Sequence, residues 1–221
     1  MCIRDRDEFR DFVAVILTFN IWRSKMNLPN RLTVTRLCLV PVFIALYLCP
    51  YFTDISVPQI HILFTDISVI QLLAFIVFLG ASLTDFLDGY LARKNHLVTT
   101  FGKFVDPIAD KMLVNSALIL LTWNNKMSVI ALIVMLLRDT FVDGVRLVAS
   151  SSNRVLAASI YGKLKTVTQM VGICLLLLNN PIFAHWDIPF ANYVINIAAC
   201  VSLLSGIDYF WKNRDLIMES M

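Results

Sequence analysis

Charged residues and closely spaced cysteines are scarce in this sequence. Asp, Glu, Lys and Arg make up 16% of the 221 residues, whereas hydrophobic residues make up 58%. A soluble domain carries about 25% charged residues, so this composition argues against an ordinary soluble protein. The five cysteines show no CxxC spacing and mostly fall inside apolar segments. This pattern argues against both a disulfide framework and a zinc site.

The apolar residues are gathered into long runs. A bilayer-spanning helix needs about 20 mostly apolar residues, and six segments reach that length once their flanks are included. They lie at roughly 34–50, 68–90, 105–123, 127–149, 163–180 and 189–211. The sequence therefore predicts an all-α integral membrane protein with six transmembrane helices. They would form one domain over residues 26–215, followed by a short tail at 216–221.

Lys and Arg are missing from two of the predicted loops. Residues 51–67 and 179–192 contain neither, and the turn between the third and fourth segments contains only Lys126. The remaining loops and both ends carry several basic residues each. Because positive residues mark the cytoplasmic side, we expect a multi-pass protein of the cell membrane with both termini in the cytoplasm. The net charge of +3 is small, and no nucleic-acid partner is expected.

The first 25 residues differ in character from the rest. A charged start precedes Phe12–Phe19, an apolar run that is too short to span a bilayer. No small-residue cleavage site of the kind found in signal peptides follows it. The segment is predicted to be a non-catalytic extension. It is either an interfacial helix or sequence upstream of a start at Met26.

One hexapeptide occurs twice in the loop after the first predicted helix. Phe-Thr-Asp-Ile-Ser-Val stands at residues 52–57 and again at 64–69. A single repeat of this size does not make a repeat protein. We interpret it as a local duplication that lengthens a tolerant loop.

Four aspartates form the group of residues best suited to a catalytic role. Asp85 and Asp88 are three residues apart, and Asp106 and Asp110 are four apart. On helices, both spacings place the carboxylates on one face. The first pair ends the second predicted helix and the second pair begins the third, so an antiparallel arrangement would bring all four together. Repulsion among them predicts two divalent cations, Mg²⁺ or Mn²⁺, which prefer oxygen ligands and recur in pairs at phosphoryl displacements.

These aspartates belong to a longer pattern, Asp-x₂-Asp-Gly-x₂-Ala-Arg-x₈-Gly-x₃-Asp-x₃-Asp, which runs from Asp85 to Asp110. The pattern resembles the signature of the CDP-alcohol phosphatidyltransferases. The resemblance implies a six-span helical enzyme, usually homodimeric, with a polar cavity that faces the cytoplasm. It implies that all four aspartates bind the two metal ions and that Asp110 is also the general base. The residues implied for the cytidine diphosphate moiety are Asn30, Thr33, Asp85, Gly89, Ala92 and Arg93.

Basic residues in the later segments predict an acceptor that carries a phosphate. Arg138 lies well inside an apolar run, and a buried guanidinium needs an anionic partner. That partner is either the acceptor phosphate or a nearby aspartate such as Asp139 or Asp143. In the family, glutamate is usual at position 139 and a small residue at 143. The predicted phosphate-binding residues are Arg138, Arg146, Lys163 and Lys165.

The resemblance implies transfer of the phosphatidyl group from CDP-diacylglycerol to an alcohol, with release of CMP. Residues 26–33, 144–149 and 162–166 resemble family members whose acceptor is glycerol 3-phosphate, which is therefore the predicted acceptor. One alternative is the same chemistry with inositol phosphate, serine or a second lipid. Another is an ion transporter, although transporter sites lie near the bilayer midplane and these aspartates lie at predicted helix ends.

Overall fold

The computed structural model describes residues 28–52, 58–62, 65–94, 100–151, 159–181, 183–186 and 188–214. Within these ranges, the side chains of residues 28–30, 62, 85–94, 100–104, 106–107, 151 and 184 are not described. The predicted extension at residues 1–25 lies outside the described part of the chain.

Six α-helices make up most of the described chain, as the sequence predicts. They are α1 (Leu28–Phe52), α2 (Val69–Lys94), α3 (Thr100–Trp123), α4 (Val129–Ser151), α5 (Ile160–Leu177) and α6 (Phe190–Lys212). A short 3₁₀ helix, Ala184–Trp186, lies between α5 and α6. The helices α5 and α6 pack extensively on each other, as do α1 and α2. The helix α1 also contacts α3, and α4 contacts α6.

Three of these helices are long and apolar enough to cross a membrane: Arg31–Phe52, Ile160–Leu177 and Phe190–Lys212. The first part of α2, Val69–Thr84, is a shorter apolar helix. Large apolar side chains also face outward, among them Ile130, which is 75% exposed, and Leu147, which is 74% exposed. Exposed apolar surface on this scale is typical of a surface that contacts other apolar material. The helices therefore indicate a membrane protein.

The core between the helices is tightly packed. Phe43 of α1 and Phe78 of α2 are fully buried, with their ring centroids 5.7 Å apart. On the other side of the bundle, Gly172 of α5 lets α6 approach closely, because a Cβ at this position would lie 2.9 Å from Ile195 Cδ1. Small residues commonly allow helices in membranes to approach in this way.

The loop between α1 and α2 contains a β-hairpin that the all-α prediction missed. Strands β1 (Gln59–Ile62) and β2 (Thr65–Ser68) pair antiparallel, with Ile62 opposite Thr65. Strand β2 is formed by the second copy of the duplicated hexapeptide, and its Ile67 is only 1% exposed. The duplicated sequence therefore does more than lengthen the loop. Its alternating β-branched residues favour a strand, and burial of Ile67 anchors that strand against the helices.

Candidate active site

The four predicted metal ligands lie on two helices that contact each other. The backbone places Asp85 and Asp88 in the last part of α2, and Asp106 and Asp110 in the first part of α3. The two helices contact each other. Among the four, only the side chain of Asp110 is described, and it is partly buried. No group of three or more side chains that could hold a metal ion occurs among the described residues, and the side chains of the other three predicted ligands lie outside them.

Most of the residues predicted to bind the nucleotide also lie outside the part of the structure whose side chains are described. This applies to Asn30, Gly89, Ala92 and Arg93. Thr33 is described and is 1% exposed on α1. It does not line the cavity described below.

A cavity of about 460 Å³ lies between α3, α4, α5 and α6, with Ser82 of α2 also in its wall. It contains Asp110 together with all four residues predicted to bind the acceptor phosphate. The ionisable groups that line it are Asp110, Lys111, Arg138, Asp139, Asp143, Arg146, Lys163 and Lys165. An excess of positive charge in a confined site favours an anionic ligand.

Asp139 joins two of the basic residues in the wall of this cavity. Arg138 Nη1 lies 3.0 Å from Asp139 Oδ1, and Lys165 Nζ donates a 2.5 Å hydrogen bond to Asp139 Oδ2. The side chains of Arg138, Asp139 and Lys165 are 12%, 16% and 6% exposed. One of the two alternatives for Arg138 is therefore realised in the structure, since Asp139 is its anionic partner. Two cations share this one carboxylate, so the group retains positive charge that an anionic ligand can neutralise.

Residues from α5 and α6 fix the position of the Arg138 guanidinium. Arg138 Nη2 donates a 2.6 Å hydrogen bond to Ser205 Oγ of α6. Two glycines leave room for the side chain. A Cβ on Gly162 would lie 3.3 Å from Arg138 Nη2, and a Cβ on Gly206 would lie 3.2 Å from Arg138 Cγ. The arginine is therefore held between α5 and α6 in one orientation.

The other cations of the cavity also have defined neighbours. Arg146 Nε donates a 3.4 Å hydrogen bond to Tyr209 Oη, and the guanidinium carbon lies 5.8 Å from the centroid of that ring. Lys111, the residue after Asp110, forms an ion pair with Asp143. Arg146 and Lys163 are exposed, whereas Lys165 is buried. The cations therefore extend from the surface of the protein into its interior.

Lys111, Ser205 and Tyr209 were not predicted from the sequence to belong to this site. The available signal was that each is a polar residue within an apolar helix. Asp139 and Asp143 were predicted only as possible partners of Arg138. The structure pairs Asp143 with Lys111 instead.

Known proteins resemble this chain over most of its length. The model of the CDP-alcohol phosphatidyltransferase family matches residues 26–204. A CDP-diacylglycerol–glycerol-3-phosphate 3-phosphatidyltransferase of Bacillus subtilis (strain 168) is 39% identical over 200 residues, covering 88% of this chain and 98% of that protein. A protein of the same name from Rickettsia prowazekii (strain Madrid E) is 34% identical over 190 residues, covering 85% of this chain and 96% of that protein. The chain belongs to the CDP-alcohol phosphatidyltransferase family.

Proposed function

We propose that this protein transfers the phosphatidyl group of CDP-diacylglycerol to glycerol 3-phosphate, forming phosphatidylglycerophosphate and CMP. The observation that carries the proposal is that Asp110 and the cations Arg138, Arg146, Lys163 and Lys165 line one cavity. A carboxylate that can accept a proton and a group of cations that can hold a phosphate are the two features that this acceptor requires. The relatives that share 39% and 34% identity carry the name of this activity.

The acceptor phosphate would bind among the four cations. The planar guanidinium of Arg138 can present two parallel N–H groups to phosphate oxygens, whereas a lysine acts as a point charge. Arg146 and Lys163 are exposed and would meet the incoming phosphate first. Arg138 and Lys165 lie deeper and would hold it while the reaction takes place.

Asp110 would serve as the general base. In the proposed reaction, the primary hydroxyl oxygen of glycerol 3-phosphate forms a bond to the phosphorus that carries the diacylglycerol. The bond between that phosphorus and the oxygen of CMP breaks, and CMP leaves. The proton of the attacking hydroxyl passes to the carboxylate of Asp110. A positioned base of this kind accelerates such a step by about 10²–10⁴-fold.

Two divalent cations, Mg²⁺ or Mn²⁺, would be held by Asp85, Asp88, Asp106 and Asp110. An all-carboxylate set of oxygen donors fits these hard ions, and the helical spacing places each pair on one face. When bound, such ions neutralise the negative charge of a pyrophosphate and of its leaving group. The cytidine diphosphate moiety would lie along α2 near Asp85, Gly89, Ala92 and Arg93, with Asn30 and Thr33 of α1 close by.

The catalytic domain, residues 26–215, would cross the cell membrane six times and work as a homodimer. The ends of α2 and α4 that precede the basic loops, and both chain termini, would lie in the cytoplasm. This orientation suits the two substrates. The diacylglycerol tails would remain in the lipid, while glycerol 3-phosphate would reach the cavity from the cytoplasm.

Release of CMP from CDP-diacylglycerol by the purified protein tests the proposal. Glycerol 3-phosphate, inositol 1-phosphate, serine and phosphatidylglycerol would be offered separately, each with Mg²⁺ or with Mn²⁺. We expect release with glycerol 3-phosphate alone. Release with serine instead would refute the proposed phosphate-binding role of the cations, release with inositol 1-phosphate or phosphatidylglycerol instead would refute the proposed acceptor, and no release with any acceptor would refute the proposed activity.

A further inference from the structure

The cavity wall contains a buried amide that the proposed reaction does not yet use. Gln169 of α5 is 2% exposed and lines the cavity. Its side-chain nitrogen Nε2 is buried without a hydrogen-bond partner among the described residues. Most buried polar side-chain atoms in proteins do have a partner. An exception in the wall of a ligand cavity therefore points to a partner that arrives with the ligand.

Gln169 lies at a defined place relative to the phosphate-binding residues. It follows Lys165 by four residues on the same helix, so the two side chains share one face. At a rise of 1.5 Å per residue, the separation along the helix axis is about 6 Å. Lys163 and Lys165 lie in the first turns of α5, and Gln169 lies one turn deeper in the bundle. An acceptor whose phosphate sits among the cations would extend its carbon chain towards Gln169 and Asp110.

The hydrogen-bonding atoms of the amide indicate which group of the acceptor it would contact. A phosphate is best matched by cations, and five already line this cavity. A neutral amide carries both donor and acceptor atoms, and so does a hydroxyl group. Glycerol 3-phosphate has two hydroxyl groups. The primary hydroxyl is the nucleophile and belongs near Asp110, which leaves the secondary hydroxyl on C2 for another partner.

We propose that Gln169 Nε2 donates a hydrogen bond to the C2 hydroxyl of the acceptor and thereby determines acceptor specificity. The inference rests on the proposed function. A site with a buried donor for a substrate hydroxyl discriminates against an analogue that lacks the hydroxyl, because the donor is then left unpaired. Gln169 would therefore favour a three-carbon acceptor with a secondary hydroxyl over one with a plain methylene group at C2.

Two acceptors and one substitution test the inference. The analogue 3-hydroxypropyl phosphate keeps the phosphate and the primary hydroxyl but lacks the C2 hydroxyl. The Gln169→Met substitution keeps the length of the side chain and removes its hydrogen-bonding atoms. For the wild-type protein, we expect kcat/KM to be about tenfold lower with the analogue than with glycerol 3-phosphate. In Gln169→Met, kcat/KM with glycerol 3-phosphate should fall by about the same factor, and the difference between the acceptors should vanish.

The controls separate this role from packing and from the proposed function itself. Ile173 lies one turn further along α5, is fully buried and does not line the cavity. Ile173→Val should therefore keep the wild-type ratio between the two acceptors. Gln169→Leu provides a second apolar replacement if Gln169→Met does not fold. A Gln169 variant that loses activity equally with both acceptors, so that their ratio stays at the wild-type value, would overturn the inference while leaving the proposed function intact. Absence of turnover with glycerol 3-phosphate in the wild-type protein would overturn the proposed function, and the inference with it.

Discussion

Lys165 of α5 and Asp139 of α4 are joined by a 2.5 Å hydrogen bond between Nζ and Oδ2, with both side chains less than one-fifth exposed. Asp139 also pairs with Arg138. This single carboxylate therefore compensates the buried Lys165 and the partly buried Arg138, and it ties α5 to α4. If the acceptor phosphate binds here as proposed, Asp139 would already hold these two cations in place before it arrives, and their alignment would not have to be created on binding.

Removing the charge of Asp139 should damage both stability and acceptor binding. Asp139→Asn would leave the buried Lys165 and the partly buried Arg138 without a counter-charge, and breaking a buried ion pair in this way costs about 3–5 kcal/mol. We expect a lower melting temperature in detergent and a higher KM for glycerol 3-phosphate. Asp139→Glu keeps the charge and is the matched control. Equal stability of Asp139→Asn and the wild-type protein would show that the ion pair contributes little.

Replacing Asp110 tests the base proposed for the reaction. Asp110→Asn keeps the size of the side chain and removes its capacity to accept a proton, so kcat for CMP release should fall by about 10²–10⁴-fold. Ser116 lies on the same helix, and its hydroxyl donates only to the carbonyl of Met112. Ser116→Ala should therefore leave the rate close to that of the wild-type protein. A rate for Asp110→Asn within threefold of wild type would rule out a role for Asp110 as base or ligand.

Gly162 gives a test of how closely Arg138 must be positioned. A Cβ at Gly162 would lie 3.3 Å from Arg138 Nη2, whereas one at Gly144 would meet no atom of the described residues within 4 Å. Replacing either glycine by alanine should stabilise its helix by a similar amount, roughly 1 kcal/mol, because alanine has the higher helix propensity. We expect Gly162→Ala to raise KM for glycerol 3-phosphate several-fold and to leave KM for CDP-diacylglycerol unchanged. Gly144→Ala should change neither, and an identical result for the two variants would argue against tight positioning of Arg138.

The sequence predicted the helices well because long apolar runs are a local signal. It also predicted that Asp110, Arg138, Arg146 and Lys165 serve one site, and the structure places them in one cavity. It left the partner of Arg138 open between several groups. The partner found is the adjacent Asp139, whereas the second contact of the guanidinium, with Ser205 of α6, joins residues 67 apart along the chain and depends on how α4 and α6 pack. No local periodicity contains this information.

The hairpin was missed for a related reason. Thr65–Ser68 is too short to give a clear strand signal within an apolar loop, and Ile67 is buried by contacts that only the folded chain supplies.

The metal-binding role of Asp85, Asp88 and Asp106 stays a prediction from their spacing and their resemblance to the family signature.

The turn between α3 and α4 offers a prediction about pH and stability. Lys126 Nζ donates to Asn179 Oδ1, which also accepts a 3.1 Å hydrogen bond from Gln71 Nε2. Burial lowers the pKa of Lys126 from 10.5 to about 8. Between these two values the unfolded chain binds more protons than the folded protein, so stability should rise as the pH rises through this window. Below about pH 8 the full penalty of burying the charge is present.

Lys126→Met should remove this dependence. The variant keeps the apolar stem, and Gln71 still donates to Asn179 Oδ1, so no buried acceptor is left unpaired by the change. We expect the melting temperature of the variant to exceed that of the wild-type protein at pH 7 and the difference to shrink as the pH approaches 10. Thermal unfolding in detergent at a series of pH values measures both curves. A variant that is less stable than the wild-type protein at pH 7 would mean that the hydrogen bond from Lys126 to Asn179 outweighs the penalty of burying its charge.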